Sequence, residues 1–198
     1  MKKKVVLLLT AIIMTISLSA CSLFGGDKLG SGSHVDEVAG YTKTDGVEDY
    51  TTTDDGRKVD GYQIAFLEDT VETAWFNFCV HSVEFVDEYE GLTPSEGNIL
   101  AVANITMKNT FDDPVDMYYN DFWLAWDLDA DYLSYATEIA MFSDGEDLGS
   151  TYTMEDNEKF NADYVFELPE NTQGPFMIEF YEYYTDNTFG NDFFIIFE

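Results

Sequence analysis

Apolar and polar residues alternate with a period of two through most of the chain after residue 62, a pattern typical of half-buried β-strands. In the clearest run the apolar side chains take the even positions from Phe160 to Leu168, and Pro169 ends it. Further strands are predicted at 99–108, 132–137, 176–184 and 192–197. About seven short strands with turn residues between them predict an all-β fold, an immunoglobulin-like antiparallel β-sandwich.

Within one predicted strand, the apolar residues change from even to odd positions. Apolar residues take even positions from Ala74 to Val80 and odd positions at Val83 and Phe85. An extra residue in one strand reverses the side that every later side chain faces, so we predict a β-bulge at His81-Ser82.

The amino terminus has the pattern of an export signal. Lysines at 2–4 precede an apolar run at 5–16, which is short for a membrane span, and Leu18-Ser19-Ala20-Cys21 follows. This tetrapeptide resembles a bacterial lipobox. The resemblance implies cleavage after Ala20, diacylglycerol on the Cys21 sulfur, and an extracytoplasmic protein anchored to the cell membrane through that lipid.

Residues 22–61 are rich in Gly, Ser, Thr and Asp and show no alternating apolar run. Such a composition predicts a flexible tether. The predicted organisation is therefore a lipoprotein signal peptide at 1–20, a lipidated amino terminus and flexible linker at 21–61, and a sandwich domain at 62–198.

The strong negative charge of the chain limits the kinds of molecule that it can bind. The chain of 198 residues has 39 acidic against 9 basic side chains, a net charge of −30, which argues against binding to nucleic acid. A hydrophobic fraction of 45% still suffices for a packed core. With Cys21 acylated, Cys79 has no disulfide partner, and its apolar surroundings predict a buried, unreactive thiol.

Several segments also resemble a known family in order and spacing. They are residues 69–76, 81–87, 97–102, 105–110, 114–115, 120–124 and 164–169. Together they resemble the telokin-like, immunoglobulin-fold domain of Gram-positive bacterial lipoproteins, a family largely of unknown function. The resemblance covers roughly residues 69–198 and implies a fold and an envelope location, but no catalytic residues. The chain departs from the family at residues 155–158, where relatives often have a Pro-Gly-Glu turn.

Two groups of side chains have metal-ligand chemistry. Cys79 and His81 lie two residues apart, as a thiol–imidazole pair or half of a metal site would, but no third His or Cys completes a zinc site. Asp127, Asp129 and Asp131, with Glu138, have the acid spacing of an EF-hand calcium loop. Tyr132 stands where that loop requires glycine, so a solvated turn and a weak calcium site of another kind both remain open.

An aromatic cluster is predicted near the carboxyl terminus, formed by Phe180, Tyr181, Tyr183, Tyr184 and Phe189. A carbohydrate-binding face and a cross-strand core use the same rings, so both interpretations stand.

These observations predict a lipid-anchored, non-catalytic surface module that binds an extracellular protein, peptide or envelope component of unknown identity. The alternatives are a cation- or carbohydrate-binding accessory protein and a carboxylate-dependent envelope hydrolase. No cofactor is expected apart from weakly bound calcium.

Overall fold

The computed structural model describes residues 28–198, and in that range the regular structure is all β. The strands in chain order are β1 (Glu37–Val38), β2 (Tyr41–Thr42), β3 (Thr51–Thr52), β4 (Lys58–Val59), β5 (Tyr62–Phe66), β6 (Val71–Glu72), β7 (Phe76–Val86), β8 (Asn98–Asn109), β9 (Val115–Tyr118), β10 (Trp123–Trp126), β11 (Ser134–Tyr135), β12 (Thr137–Ser143), β13 (Glu146–Asp147), β14 (Thr151–Met154), β15 (Lys159–Pro169), β16 (Phe176–Tyr183) and β17 (Phe189–Phe197).

Two main sheets form the sandwich. One has the order β11-β10-β16-β17-β5 and the other β13-β12-β15-β8-β7-β6, while β1-β2, β3-β4 and β9-β14 are separate two-stranded pairs. The predicted all-β sandwich is therefore confirmed. The two main sheets contain more strands than the predicted seven, because two-residue strands extend their edges. One pairing also departs from an antiparallel sandwich, since β5 and β17 run parallel.

The core between the sheets is built largely from aromatic rings. Phe78 of β7 contacts Phe122, Phe180 and Phe193 at centroid distances of 5.2, 5.8 and 6.5 Å. Tyr164 of β15 packs edge-on against Phe122 at 4.9 Å. These rings come from both sheets and are at most 6% exposed, so their burial holds the two layers together.

The predicted β-bulge is present in β7. Val80 pairs with Ile105 and Ser82 with Asn104, which leaves His81 as the extra residue of the register. Residues before the bulge are fully buried from Phe76 to Val80, whereas the residues after it are partly exposed. The bulge thus turns β7 from the core towards the surface.

The strand predicted at 132–137 is divided between the sheets. β11 belongs to the five-stranded sheet and β12 to the six-stranded sheet, with Ala136 between them. The Ala136 amide donates to the Leu124 carbonyl, and the chain then crosses to the second sheet. Alternation of apolar and polar residues predicts which side chains are buried before and after such a crossing, but it does not show that the chain changes sheets.

Residues 29–48, called here the N-terminal segment, lie against the sandwich. Leu29 is 8% exposed, the Lys43 ammonium pairs with Asp69 at 2.5 Å, and the Thr44 amide donates to the Ile64 carbonyl at the open edge of β5. The predicted tether at 22–61 does precede the sandwich, with only two-residue strands in its described part. Residues 22–27 lie outside the described residues, and the N-terminal segment contacts the domain at the positions given above; the flexibility of the linker stays a prediction.

The predicted signal peptide at 1–20 and Cys21 lie outside the described residues. Within residues 28–198, no helix has the length and apolarity that crossing a membrane requires.

Candidate functional site

A surface cleft of about 740 Å³ lies at one end of the sandwich and is called here the aromatic cleft. Its walls come from five separate parts of the chain. They are Arg57, Ala74–Phe76, Phe111 with Pro114–Tyr118, Asp121, and Phe180–Tyr181 with Tyr183–Thr185. A volume of this size lies within the range of about 300–1,000 Å³ that is usual for ligand sites.

A β-bulge in β16 shapes one wall. The register with β17 shifts between Tyr181 and Tyr183, and the Glu182 side chain between them is 2% exposed. Its carboxylate accepts hydrogen bonds from the Ala74 amide at 2.7 Å and from the Asn191 amide and side chain at 3.1 and 2.9 Å. Burial raises the Glu182 pKa, against these donors. Glu182 thereby ties the loop before β7 to β16, and the neighbouring tyrosines line the cleft.

Arg57 closes the cleft at the side of the β3–β4 hairpin. Its guanidinium lies 4.6 Å from the centroid of the Tyr184 ring, which packs against Trp75 at 5.1 Å. The same guanidinium pairs with Asp55 at 2.9 Å and Asp186 at 2.8 Å. Two carboxylates neutralise its single charge, and hydrogen bonds from Arg57 and Thr188 hold the Asp186 pKa well below its usual value.

Three rings of the cleft are open to solvent. Phe111 is 43% exposed, Tyr118 44% and Tyr183 47%. Large apolar side chains that remain exposed beside a concave surface are typical of binding sites. They are available to a ligand without any rearrangement of the core.

The acidic lining of the cleft consists of Asp116 and Asp121. Burial raises the Asp121 pKa to about 6, while the Tyr118 amide, which donates to its Oδ2 atom at 2.6 Å, opposes the shift. Asp116 is exposed and accepts a hydrogen bond from the Thr153 hydroxyl at 2.6 Å. Asp121 is thus perturbed by burial and not by a second carboxylate, unlike a catalytic carboxylate dyad.

The aromatic cluster predicted from the sequence is split between core and surface. Phe180 is 6% exposed and belongs to the core, although it also forms part of the cleft wall. Tyr181, Tyr183 and Tyr184 line the cleft, and Phe189 is 63% exposed and contacts Tyr183 at 5.2 Å. The core interpretation is confirmed for Phe180, and carbohydrate binding by the other rings stays a prediction.

The structure adds a third residue to the predicted Cys79–His81 pair. Glu68 Oε1 lies 2.9 Å from His81 Nδ1, and Cys79 Sγ lies 3.7 Å from the same nitrogen. Cys79 is fully buried, as predicted, and burial raises the pKa of its thiol to about 12. Neither Cys79 nor His81 lines the aromatic cleft.

The three aspartates of the predicted cation site are exposed and lie in the turn after β10. Asp127 accepts a hydrogen bond from the Ser134 hydroxyl at 2.8 Å, and the Tyr41 hydroxyl lies 3.5 Å from Asp129. In the described part of the chain, Glu68, Cys79 and His81 place three possible metal-ligand atoms within 4.8 Å of one another. Asp127, Asp129 and Asp131 do not form such a group. Glu138 lies on β12, in the other sheet. Calcium binding by the aspartates stays a prediction.

Sequence reasoning missed Arg57, Trp75, Phe111 and Tyr118 as cleft residues. Little in the sequence indicates them, because each lies at or near a break between strands, where no alternation of apolar and polar residues predicts which way the side chain faces. Their convergence depends on contacts between distant segments.

The fold and the cleft define an acidic all-β sandwich domain with an aromatic surface cleft. The chain belongs to the family described as domain of unknown function DUF4352, whose model matches residues 65–191. No curated protein matches the chain.

The solved structures that are similar to it include the following three. A candidate lipoprotein of Bacillus subtilis, ycdA, is 14% identical with a TM-score of 0.47, and the match covers 64% of this chain and 38% of that one, less than two thirds of its length. An uncharacterized β-sandwich protein of Clostridium difficile is 11% identical with a TM-score of 0.47, covering 68% and 93%. The yjhA protein of Bacillus subtilis is 15% identical with a TM-score of 0.45, covering 67% and 98%.

Proposed function

We propose that this protein is a lipid-anchored, extracytoplasmic binding module of the telokin-like, immunoglobulin-fold type, and that its aromatic cleft takes a cationic segment of a protein or peptide. The observation that carries the proposal is a cleft with three exposed rings in a domain of strong negative charge. Rings attract cations through their faces, and the acidic field draws a basic partner towards the cleft.

The charge balance within the cleft favours a cationic ligand. Arg57 is neutralised by Asp55 and Asp186, so Asp116 and Asp121 leave the lining with an excess of negative charge. Lysine or arginine side chains would meet carboxylates and ring faces together. An anionic ligand would meet repulsion from both aspartates.

We propose that the module is not an enzyme. The cleft is lined by aromatic and aliphatic side chains, Thr185, Arg57 and two aspartates, and the lining includes no cysteine or histidine of the described residues. A nucleophile needs an adjacent base, and a hydrolytic pair needs two carboxyl groups that flank the bond to be cleaved. Burial raises the Asp121 pKa to about 6, and its hydrogen-bond donor is the Tyr118 backbone amide instead of a nucleophilic side chain.

The anchoring part of the proposal rests on Leu18-Ser19-Ala20-Cys21 and is tested separately. Replacing Cys21 by Ser should release the protein from the membrane fraction or leave the signal peptide uncut. Normal processing and membrane retention of the Cys21→Ser variant would refute lipid anchoring, and the cleft proposal would stand independently.

Ligand binding is tested with a lysine-rich peptide and a β-1,4-linked oligosaccharide, each titrated against the protein by calorimetry. We expect the peptide to bind, with an affinity that falls as salt rises. Tyr118→Ser and Tyr183→Ser should each weaken it by about 2–5-fold, the value of an exposed cation–π contact of about 0.5–1 kcal/mol.

Tyr132→Ser is the matched control, because Tyr132 is 87% exposed and lies outside the cleft lining. Equal losses in all three tyrosine variants would refute the cleft as the site. Oligosaccharide binding without peptide binding would replace the proposal by the carbohydrate-binding alternative. Binding of neither probe would contradict both.

A further inference from the structure

The group of Glu68, Cys79 and His81 lies apart from the aromatic cleft, at the bulge of β7. Cys79 and His81 flank Val80 on that strand, and Glu68 comes from the turn between β5 and β6. Their ligand atoms Oε1, Sγ and Nδ1 lie within 4.8 Å of one another. The Glu68 amide donates to the Val80 carbonyl at 2.9 Å, which holds this turn against the bulged part of β7.

The hydrogen bonds around His81 determine where its proton lies. The Thr106 hydroxyl donates to the Asn161 side-chain oxygen at 2.8 Å, so its own oxygen accepts from His81 Nε2 at 2.9 Å. Nε2 therefore carries a hydrogen, and the lone pair of a neutral ring is on Nδ1. That lone pair faces the Glu68 carboxylate at 2.9 Å, an arrangement that needs a proton or a metal cation between the two atoms.

The Glu68 carboxylate is held in its ionised form. Its other oxygen accepts hydrogen bonds from the Ser31 amide at 2.9 Å and the Ser31 hydroxyl at 3.0 Å. These donors, with His81, lower the Glu68 pKa. Oε1 thus presents a negative charge to His81 Nδ1.

We propose that Glu68 Oε1, Cys79 Sγ and His81 Nδ1 bind a zinc ion or a chemically similar divalent transition metal. Thiolate, imidazole and carboxylate are the three ligand types of zinc, and a tetrahedral ion would leave one position for water. Zn–S and Zn–N bonds of about 2.3 and 2.0 Å give an S–N separation of roughly 3.5 Å at a tetrahedral angle, close to the 3.7 Å between Cys79 Sγ and His81 Nδ1. The 2.9 Å between Nδ1 and Glu68 Oε1 would lengthen to roughly 3.3 Å as the ion replaces their hydrogen bond. Thr106 and Asn161 would orient the imidazole, as outer-shell partners do in metal sites.

Charge balance supports a divalent ion. Binding of the ion would release the thiol proton of Cys79, because the thiolate is the form that binds metal. The charges of one thiolate, one carboxylate, a neutral imidazole and a divalent ion sum to zero, so no uncompensated charge is buried.

The N-terminal segment forms the outer wall of this site. A Cβ atom at Gly30 would lie 2.5 Å from Cys79 Sγ and 2.1 Å from the Glu68 carbonyl oxygen, so the backbone at Gly30 lies directly against the thiol. Ser31 fixes the Glu68 carboxylate from the same segment. An ion held by Glu68 would therefore also strengthen the docking of residues 29–33.

Cobalt(II) titration of the full chain in detergent tests the proposal, with Cys21→Ser in every sample so that Cys79 is the single thiol. We expect one ion per chain, a thiolate-to-cobalt charge-transfer band, and displacement of cobalt by zinc. Cys79→Ala should abolish the band, while His81→Gln and Glu68→Gln should weaken binding by tenfold or more. Thr106→Val should weaken it by about 10–100-fold through loss of the ring's orientation.

His34→Gln is the control, because it removes a histidine that lies outside the group. A chain without the band, or a band that persists in Cys79→Ala, would overturn the proposal. Since the ligand variants can lose their fold, the chain that carries Cys21→Ser alone gives an independent readout. Zinc should raise its melting temperature above that in an equal concentration of magnesium, and equal melting temperatures would leave Glu68 and His81 as an ion pair only.

Discussion

The docking of the N-terminal segment depends most on one buried carboxylate. Asp69 is 5% exposed, and its Oδ1 atom accepts hydrogen bonds from the Ser33 amide at 2.8 Å and the Lys43 ammonium at 2.5 Å. Its Oδ2 atom accepts from the Phe66 amide at 2.9 Å. Asp69→Asn keeps the shape of the side chain but replaces one acceptor oxygen by an NH₂ donor that faces an N–H group. The substitution also removes the negative charge that pairs with the Lys43 ammonium.

The expected loss of stability follows from these contacts. A hydrogen bond to a charged group contributes about 1.5–3 kcal/mol, and a buried donor without an acceptor costs about 1–3 kcal/mol. Lys43 is 33% exposed and can turn to solvent, so the low end of these values applies to the ion pair. We expect Asp69→Asn to lower the free energy of unfolding by about 2–4 kcal/mol, or the melting temperature by roughly 4–15 °C.

Urea unfolding measures this change, and limited proteolysis with mass spectrometry measures the docking. In the wild type we expect cleavage to stop before Leu29, whereas Asp69→Asn should open sites within the N-terminal segment. Asp36→Asn is the control, since Asp36 is exposed in the same segment and loses the same charge. A double-mutant cycle with Lys43→Met isolates the pair. Equal stability and equal cleavage of the Asp69 and Asp36 variants would refute the argument.

Three further predictions concern separate parts of the fold. Burial raises the Asp121 pKa to about 6, above the unfolded value of about 3.9, so the folded state holds this proton more tightly and the free energy of unfolding falls as pH rises from about 4 to 6. Asp121→Asn should reduce that fall by at most about 3 kcal/mol, measured by urea unfolding across this pH range. Phe78→Ala should cost about 3–5 kcal/mol in the same assay, because a fully buried ring at the centre of the core is removed. Gly30→Ala should speed amide hydrogen exchange at residues 29–33, since its methyl group would clash with Cys79 and the Glu68 carbonyl; unchanged exchange would show that the segment does not lie against the thiol.

Strands with an unbroken local pattern could be predicted from the sequence. Phe160 to Leu168 alternate because one face of β15 packs in the core, and period-two alternation is a local property. The change of phase before Val83 likewise predicted the bulge at His81, which the register confirms. Both features are determined by residues that are neighbours in the chain.

Contacts of the N-terminal segment could not be predicted in this way. Ser31 and Ser33 donate backbone amides to carboxylates at Glu68 and Asp69, 37 and 36 residues away. Any residue except proline offers such an amide, so composition carries no signal of the contact. Gly, Ser and Thr favour flexible linkers in general, and here long-range acceptors order them.

The same reason explains the incomplete predictions of the sites. Glu68 precedes His81 by 13 residues, and the contact of the turn before β6 with β7 brings their side chains together. The spacing of Asp127, Asp129 and Asp131 was conspicuous in the sequence, yet the turn leaves them exposed and separate. The spacing of acidic residues along the chain predicts a metal-ligand group only where the local backbone conformation is already known.

Docking of the N-terminal segment also changes the reach of the proposed lipid anchor. A free linker from Cys21 to residue 62 would allow up to about 140 Å, whereas Leu29 is eight residues from Cys21 and limits the docked domain to about 28 Å from the lipidated residue. That distance is still about three Debye lengths at physiological salt, so a domain of this negative charge can avoid an anionic bilayer surface without leaving its vicinity. On this geometry the aromatic cleft samples partners within a thin layer beside the membrane, and undocking of residues 29–48 would extend its range several-fold.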